Sequence, residues 1–256
     1  MKTFSEIYLV SDKLETILPE LVTDAEAMLG ATFPLGYLEY LTELGTGMFC
    51  DYLYIYPPTK VVGELAAYRE IFQESCDLWV QETQPQISRE EFGKMIVLGH
   101  TMDMDKLAFH PENPSRIIAI PYSHDVIYQV GASLYQSLEW FRDFCVSPET
   151  DFKWFDSGVD HRYIRMEREQ LRDLTGEFIK FTQELGLSVI PLVSGTRTWI
   201  FIRDLNGYLA VDSSPHDPKT RLTIVYDRYE AVVIDRIQAF FQEKGFEIRQ
   251  RGEKTK

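Results

Sequence analysis

His100-x-x-Asp103-x-Asp105 is the nearest thing in this chain to a metal cluster. Alternate positions set Asp103 and Asp105 on one side of a turn with an imidazole close by, a donor set suited to a divalent cation. A plain β-turn uses the same residues, because Asp bonds backbone amides there, and no second His or Cys follows at ligand spacing. The turn is the expectation, and no metal is assigned. His124-Asp125 and His216-Asp217 are adjacent pairs in turn-rich segments, and sequence neighbours seldom face each other productively. A hydrolase of the His-Asp kind needs a further separated His and Asp, and His161 is the one histidine between those pairs. A pocket gathering His161 or His216 with Asp212 and Asp217 is where hidden enzyme chemistry would belong. Ser194-Gly195 lacks the G-x-S-x-G frame. No Walker loop exists, and no G-x-G-x-x-G follows a strand. Gly45-Thr46-Gly47 comes after a helix, the wrong side for cradling phosphate. No catalytic residue or cofactor is assigned, and the chain is read as a non-enzyme.

Two further groups bear on binding. Tyr52, Tyr54 and Tyr56 alternate, so one strand face is expected to carry all three; tyrosine suits an interface and a half-buried strand equally. Arg162, Arg165, Arg168 and Arg172 recur at helical spacing, interleaved with Glu167, Glu169 and Asp173. They fit a solvated helix face or a contact with acidic surface better than nucleic-acid binding.

These residues must be positioned by short elements. An amphipathic helix at about 20–29 ends at Gly30, free to close a helix left-handed. Pro34 opens a second helix to about 44. A strand at 48–56 stops at Pro57-Pro58. Thr59 caps a helix through Phe72 with Val61, Val62, Leu65, Tyr68 and Phe72 on its apolar face. Residues 73–87 read as loop, with a short strand at Leu78–Val80 and Trp79 anchoring it. Ser88-Arg89-Glu90-Glu91 is a capping box. Strands follow at Met95–Gly99, Leu107–Phe109, Arg116–Pro121 and Val126–Val130. Ser133 then caps a helix burying Leu134, Leu138, Phe141 and Cys145.

The order LG-x-x-x-P (Leu29 to Pro34), x-x-Y-x-x-x-L (Leu35 to Leu41), G-x-G-x-F (Gly45 to Phe49), strand, PP resembles the opening of the SUKH superfamily. The strands ending in the Ser133 helix, S-x-x-x-S-L-E-W-F, look like its ending. The resemblance covers about residues 20–146. It implies an α+β fold, one antiparallel-rich sheet with helices on one side. It also implies a protein-binding role, since the family holds fungal cell-wall-assembly regulators and bacterial immunity proteins. Many members carry Gly-Asp in the turn between the first two strands of the second block. Here Met104 precedes Asp105, so that loop is expected to bend differently.

Segment 146–160 reads as a linker, dividing an acidic domain at 1–150 from a second small α+β domain at 151–256 of unrecognised family and role. The second domain is read as a helix at Met166–Leu185 and strands at 187–193, 197–203, 208–212 and Leu222–Tyr226. A helix at about Tyr229–Lys244 and a strand near Phe246–Arg249 complete it. Asn206-Gly207 marks a hairpin.

The net charge of −14 is unevenly placed: residues 1–150 hold 23 acids against 9 bases, and residues 151–256 hold 17 of each. An acidic surface repels nucleic acid and anionic membrane and attracts basic partners. Three scattered cysteines fit neither a disulfide framework nor a zinc site. No secretory signal and no apolar run near the ~18 residues that span a bilayer occur, so a cytoplasmic protein is expected. The resulting expectation is a protein partner, in its most specific form a basic nuclease toxin neutralised by the acidic domain. The alternative is an intracellular regulator or scaffold. Neither nucleic acid, membrane nor a small-molecule ligand is expected. Candidate anchors are Asp51, Tyr52, Tyr54, Glu74, Asp77, Asp103, Asp105 and Asp125.

Overall fold

A computed structural model describes residues 4–79, 87–122, 126–145, 151–169, 174–213, 219–227 and 231–253. The chain forms two compact units: Met1–Tyr8 with Leu14–Ser157, and Leu9–Lys13 with Gly158–Lys256. Both are α+β, each built on an antiparallel sheet.

In the first unit, Tyr8 of β1 (Tyr8–Leu9) precedes helices α1 (Pro19–Leu29) and α2 (Tyr37–Glu43). Strands β2 (Met48–Phe49) and β3 (Leu53–Ile55) lead to the long helix α3 (Pro58–Trp79) and the single turn α4 (Arg89–Phe92). Then come β4 (Ile96–Thr101), β5 (Lys106–His110), β6 (Asn113–Ile120), β7 (Tyr128–Gly131), α5 (Leu134–Cys145) and β8 (Trp154–Asp156). The eight strands are ordered β1-β8-β2-β3-β4-β5-β6-β7. Local chemistry explains several boundaries. Gly30 closes α1 at φ 64. Ser88 and Glu91 cap α4 reciprocally, each side chain bonding the other's backbone N–H. Ser133 Oγ accepts the Gln136 N–H at 3.3 Å at the start of α5.

Three expectations need correction here. Residues 73–79 are helical, because α3 meets no Gly or Pro between Gly63 and Pro85 and Phe72 packs on Phe92 at 4.9 Å. Leu78 is therefore helix and not strand, and Val80 lies outside the described residues. Residues 154–156 are core and not linker: Trp154 and Phe155 are fully buried, and β8 pairs with β2. Tyr52 lies in the turn before β3, and only Tyr54 and Tyr56 share surroundings.

The second unit runs β9 (His161–Arg168), α6 (Thr175–Glu184), β10 (Val189–Ser194), β11 (Arg197–Ile202), β12 (Gly207–Asp212), β13 (Thr220–Asp227), α7 (Ala231–Glu243) and β14 (Glu247–Glu253). Its sheet order is β10-β11-β12-β13-β9-β14. Phe178 of α6 and Ile234, Ile237 and Phe241 of α7 cover Ile164, Met166, Ile200, Leu209 and Ile224 of the sheet. The expected helix from Met166 is here a strand followed by the shorter α6. Ile164 and Met166 are buried while Arg165 between them is exposed, and β9 is hydrogen-bonded on both sides, by β13 and β14. Arg162, Arg165 and Arg168 thus share no helix face. Arg165 donates to Gln250 Oε1 at 3.2 Å and Arg168 to the Lys244 carbonyl at 2.6 Å, while Arg172 lies outside the described residues.

Candidate functional site: an aromatic and acidic surface at one end of the first sheet

The turn from Phe49 to Tyr52 closes with the Tyr52 N–H donating to the Phe49 carbonyl at 3.1 Å. Cys50 and Asp51 sit at φ 51 and 54, the left-handed pair that a tight hairpin turn of the primed type requires. Cys50 is buried, and burial pushes its thiol up to about 12, which leaves it a poor nucleophile. β3 pairs with β4 so that Leu53 lies opposite Thr101, and the Met102 N–H donates to the Tyr52 carbonyl at 2.8 Å. This register lays Asp51 and Tyr52 beside the tip of the β4–β5 hairpin, residues 102–105. The Tyr52 hydroxyl donates to Asp103 Oδ2 at 3.0 Å. Asp105 Oδ1 accepts the Tyr122 N–H at 2.9 Å, and the Asp105 N–H donates to Thr101 Oγ1 at 3.1 Å. Both carboxylates therefore tie the hairpin tip to neighbouring segments, Asp103 to Tyr52 and Asp105 to Tyr122. His100 faces elsewhere, against Tyr54 and Tyr56. Among the described residues no group of His, Cys, Asp and Glu is arranged to hold a metal ion.

From Tyr52 an aromatic run continues across the surface. Its ring lies 6.0 Å from Phe144, which stacks on Trp140 at 5.7 Å with the planes 6° apart. Trp140 lies 5.8 Å from Tyr128 on β7. Phe141, buried beneath, holds Trp140 edge-on at 4.9 Å. Phe144 is 64% exposed, and Tyr128, Met102, Met104 and Tyr122 of the same unit are exposed too. Scattered single apolar residues are ordinary on a protein surface, whereas these rings form a connected set. Polarizable methionines and aromatic faces with carboxylates alongside suit a partner that presents arginine or lysine among apolar groups. The base on α5 is already committed, since Arg142 bonds Asp143 and reaches Asp151 at 2.7 Å.

The structure thus gathers Asp51, Tyr52, Asp103 and Asp105. Tyr54 lies apart, in a group with His100 and Lys60. Glu74 is exposed on α3, where its neighbour Gln73 packs against Gly93, toward the far end of β4. Asp77 belongs to α3, its side chain outside the described residues, and Asp125 is outside them altogether. Tyr128, Trp140, Phe144 and the two methionines are not among the anchors expected from the sequence. The signal was available for one pair: Trp140 and Phe144 stand four apart on α5, off the stripe of Leu134, Leu138 and Phe141.

Met104 reverses one expectation. It keeps the left-handed conformation, φ 71, that glycine would adopt more easily, so the loop retains its bend at the cost of strain. Three of the five described non-glycine residues with positive φ are Cys50, Asp51 and Met104, and such strain concentrates at functional sites. Met104→Gly is expected to stabilise the fold by about 0.5–1 kcal/mol in chemical denaturation. A loss of stability instead would mean that Met104 carries no strain.

No helix among the described residues is long and apolar enough to cross a membrane. No protein-family model matches the chain, and no curated protein matches it significantly.

Proposed function

We propose that this chain is a non-catalytic protein-binding protein of the SUKH kind, and specifically an immunity protein whose acidic first unit covers a basic toxin domain. The observation that carries the reading is the connected aromatic run from Tyr128 through Trp140 and Phe144 to Tyr52, its Tyr128 and Phe144 exposed and its Trp140 and Tyr52 half-buried, with Asp51, Asp103 and Asp105 at its margin. Aromatic anchors at the centre of an interface supply most of its affinity, and surrounding charge supplies on-rate and selectivity. The excess of acids in residues 1–150 gives long-range attraction for a basic partner. An interface of about 1,600 Å² suffices to occlude an active cleft.

The test is affinity capture on the purified chain at about 50 mM and about 500 mM salt, followed by activity assays of whatever is retained. The expected result is one basic protein, held less at high salt, whose toxic activity the chain abolishes. Several abundant proteins bound weakly, with no activity blocked, would favour a regulatory or scaffold role and overturn the toxin assignment.

A further inference from the structure

The residues that the aromatic surface leaves aside form a second group, of opposite character. Tyr54 on β3 lies opposite His100 on β4, and His100 lies opposite Lys106 on β5, so the three side chains form one row across the sheet. Above them α3 presents Lys60, Glu64 and Tyr68, spaced four apart along one of its faces. The two rows meet: Lys60 Nζ lies 5.6 Å from the Tyr54 ring, and Lys106 Nζ lies 5.8 Å from the Tyr68 ring. The Tyr54 and His100 rings are 5.6 Å apart. All six side chains are partly exposed, so solvent reaches the group.

Its polar atoms are under-used. His100 Nδ1 is buried with no hydrogen-bond partner. Among the described residues, Lys106 has no carboxylate in ion-pair range, although the chain holds 40 acids. Glu64 is the one acid of the group and is shared with Lys60 at 3.7 Å. Burial and the two lysines hold the His100 imidazole below its usual value, and burial does the same to Lys106. Lys60 and Lys106 are set near two carboxylates, Glu64 and Asp105, but only Lys60 makes direct contact with one, so the Lys106 ammonium keeps its donors open. A half-buried ammonium with no acceptor in direct contact gains from an anion that takes its hydrogen bonds.

We infer that Tyr54, His100, Lys106 and Lys60 form a binding site for a small oxyanion, a phosphate or carboxylate group held between α3 and the sheet. Lys106 and Lys60 supply charge, and the imidazole and the Tyr54 hydroxyl supply directed donors. The site uses side chains other than those of the aromatic surface, with Asp105 adjoining both, and does not depend on a toxin partner.

The test titrates the intact protein with phosphate, acetate and ionic-strength-matched chloride. Thermal unfolding and the histidine side-chain NMR signals are followed together. About 50 mM phosphate should raise Tm by about 2–4 °C over chloride, if the dissociation constant lies in the low millimolar range. His100 resonances should move in the same titration, and Lys106→Met should abolish both effects. If that variant unfolds, Lys106→Gln and Lys60→Gln serve, each expected to weaken binding at least tenfold. Acetate matching phosphate assigns the site to a carboxylate, such as an acidic side chain of a partner; phosphate alone assigns it to a phosphate group. No movement of His100 with either anion, or a Tm rise equal in wild type and Lys106→Met, overturns the site.

Discussion

Gly45→Ala is expected to destabilise the first unit by about 3 kcal/mol, roughly three times the cost of Gly30→Ala. Both glycines follow a helix with positive φ, 82 at Gly45 and 64 at Gly30, so both substitutions bear the left-handed penalty of about 1 kcal/mol. Their surroundings differ. A Cβ at Gly30 meets nothing within 4 Å, whereas one at Gly45 stands 2.1 Å from the backbone oxygen of Glu15. That oxygen cannot simply withdraw. It accepts the Thr46 N–H at 3.1 Å, and two residues later the Ile17 N–H donates to the Leu41 carbonyl at 2.9 Å. The segment 15–17 is thus tied along the end of α2, and making room for a methyl group breaks those bonds or tilts the helix. Guanidinium denaturation of the two variants separates the contributions. Equal losses would show that the close approach to Glu15 does not constrain the fold.

The contrast between these glycines also shows what a sequence can and cannot convey. Gly30 and the Ser88 capping box act within four residues, and both were legible. Gly45-Thr46-Gly47 was legible as a helix stop only. Its tighter demand comes from Glu15 and from the Asp156 backbone, which would lie 2.5 Å from a Cβ at Gly47, and nothing in the local sequence announces either partner. The misread strand β9 has the same cause. Met166 to Gln170 are good helix formers, but two strand partners decide the conformation of residues 161–168. The candidate site was legible in pieces. Asp51 and Tyr52 are about fifty residues from Asp103 and Asp105, and only the register of Leu53 with Thr101 makes them neighbours. His100, grouped by spacing with those acids, belongs instead to Tyr54 and Lys106, because adjacent strand pairing outweighs proximity in sequence.

Phe144→Ala should weaken binding of the proposed protein partner by about 30- to 1,000-fold while leaving stability within about 0.5 kcal/mol of wild type. Phe144 is 64% exposed, so its removal opens no cavity in the core; Phe141 and Leu138 on the same helix bear the packing. In a complex the situation inverts. Phe144 sits at the middle of the aromatic run, between Trp140 and Tyr52, where a partner would desolvate it fully. Asp103→Asn makes the complementary measurement. It keeps the acceptor for the Tyr52 hydroxyl but removes one charge at the margin. Its effect should be a several-fold slower association at low salt that vanishes at high salt, with dissociation little changed. The Phe144 variant should instead dissociate faster at every salt concentration. Stopped-flow or surface-based kinetics on both variants therefore tests the division of labour between anchor and margin. Wild-type dissociation by Phe144→Ala, in a protein whose thermal unfolding is unchanged, would place the interface on another face of the first unit.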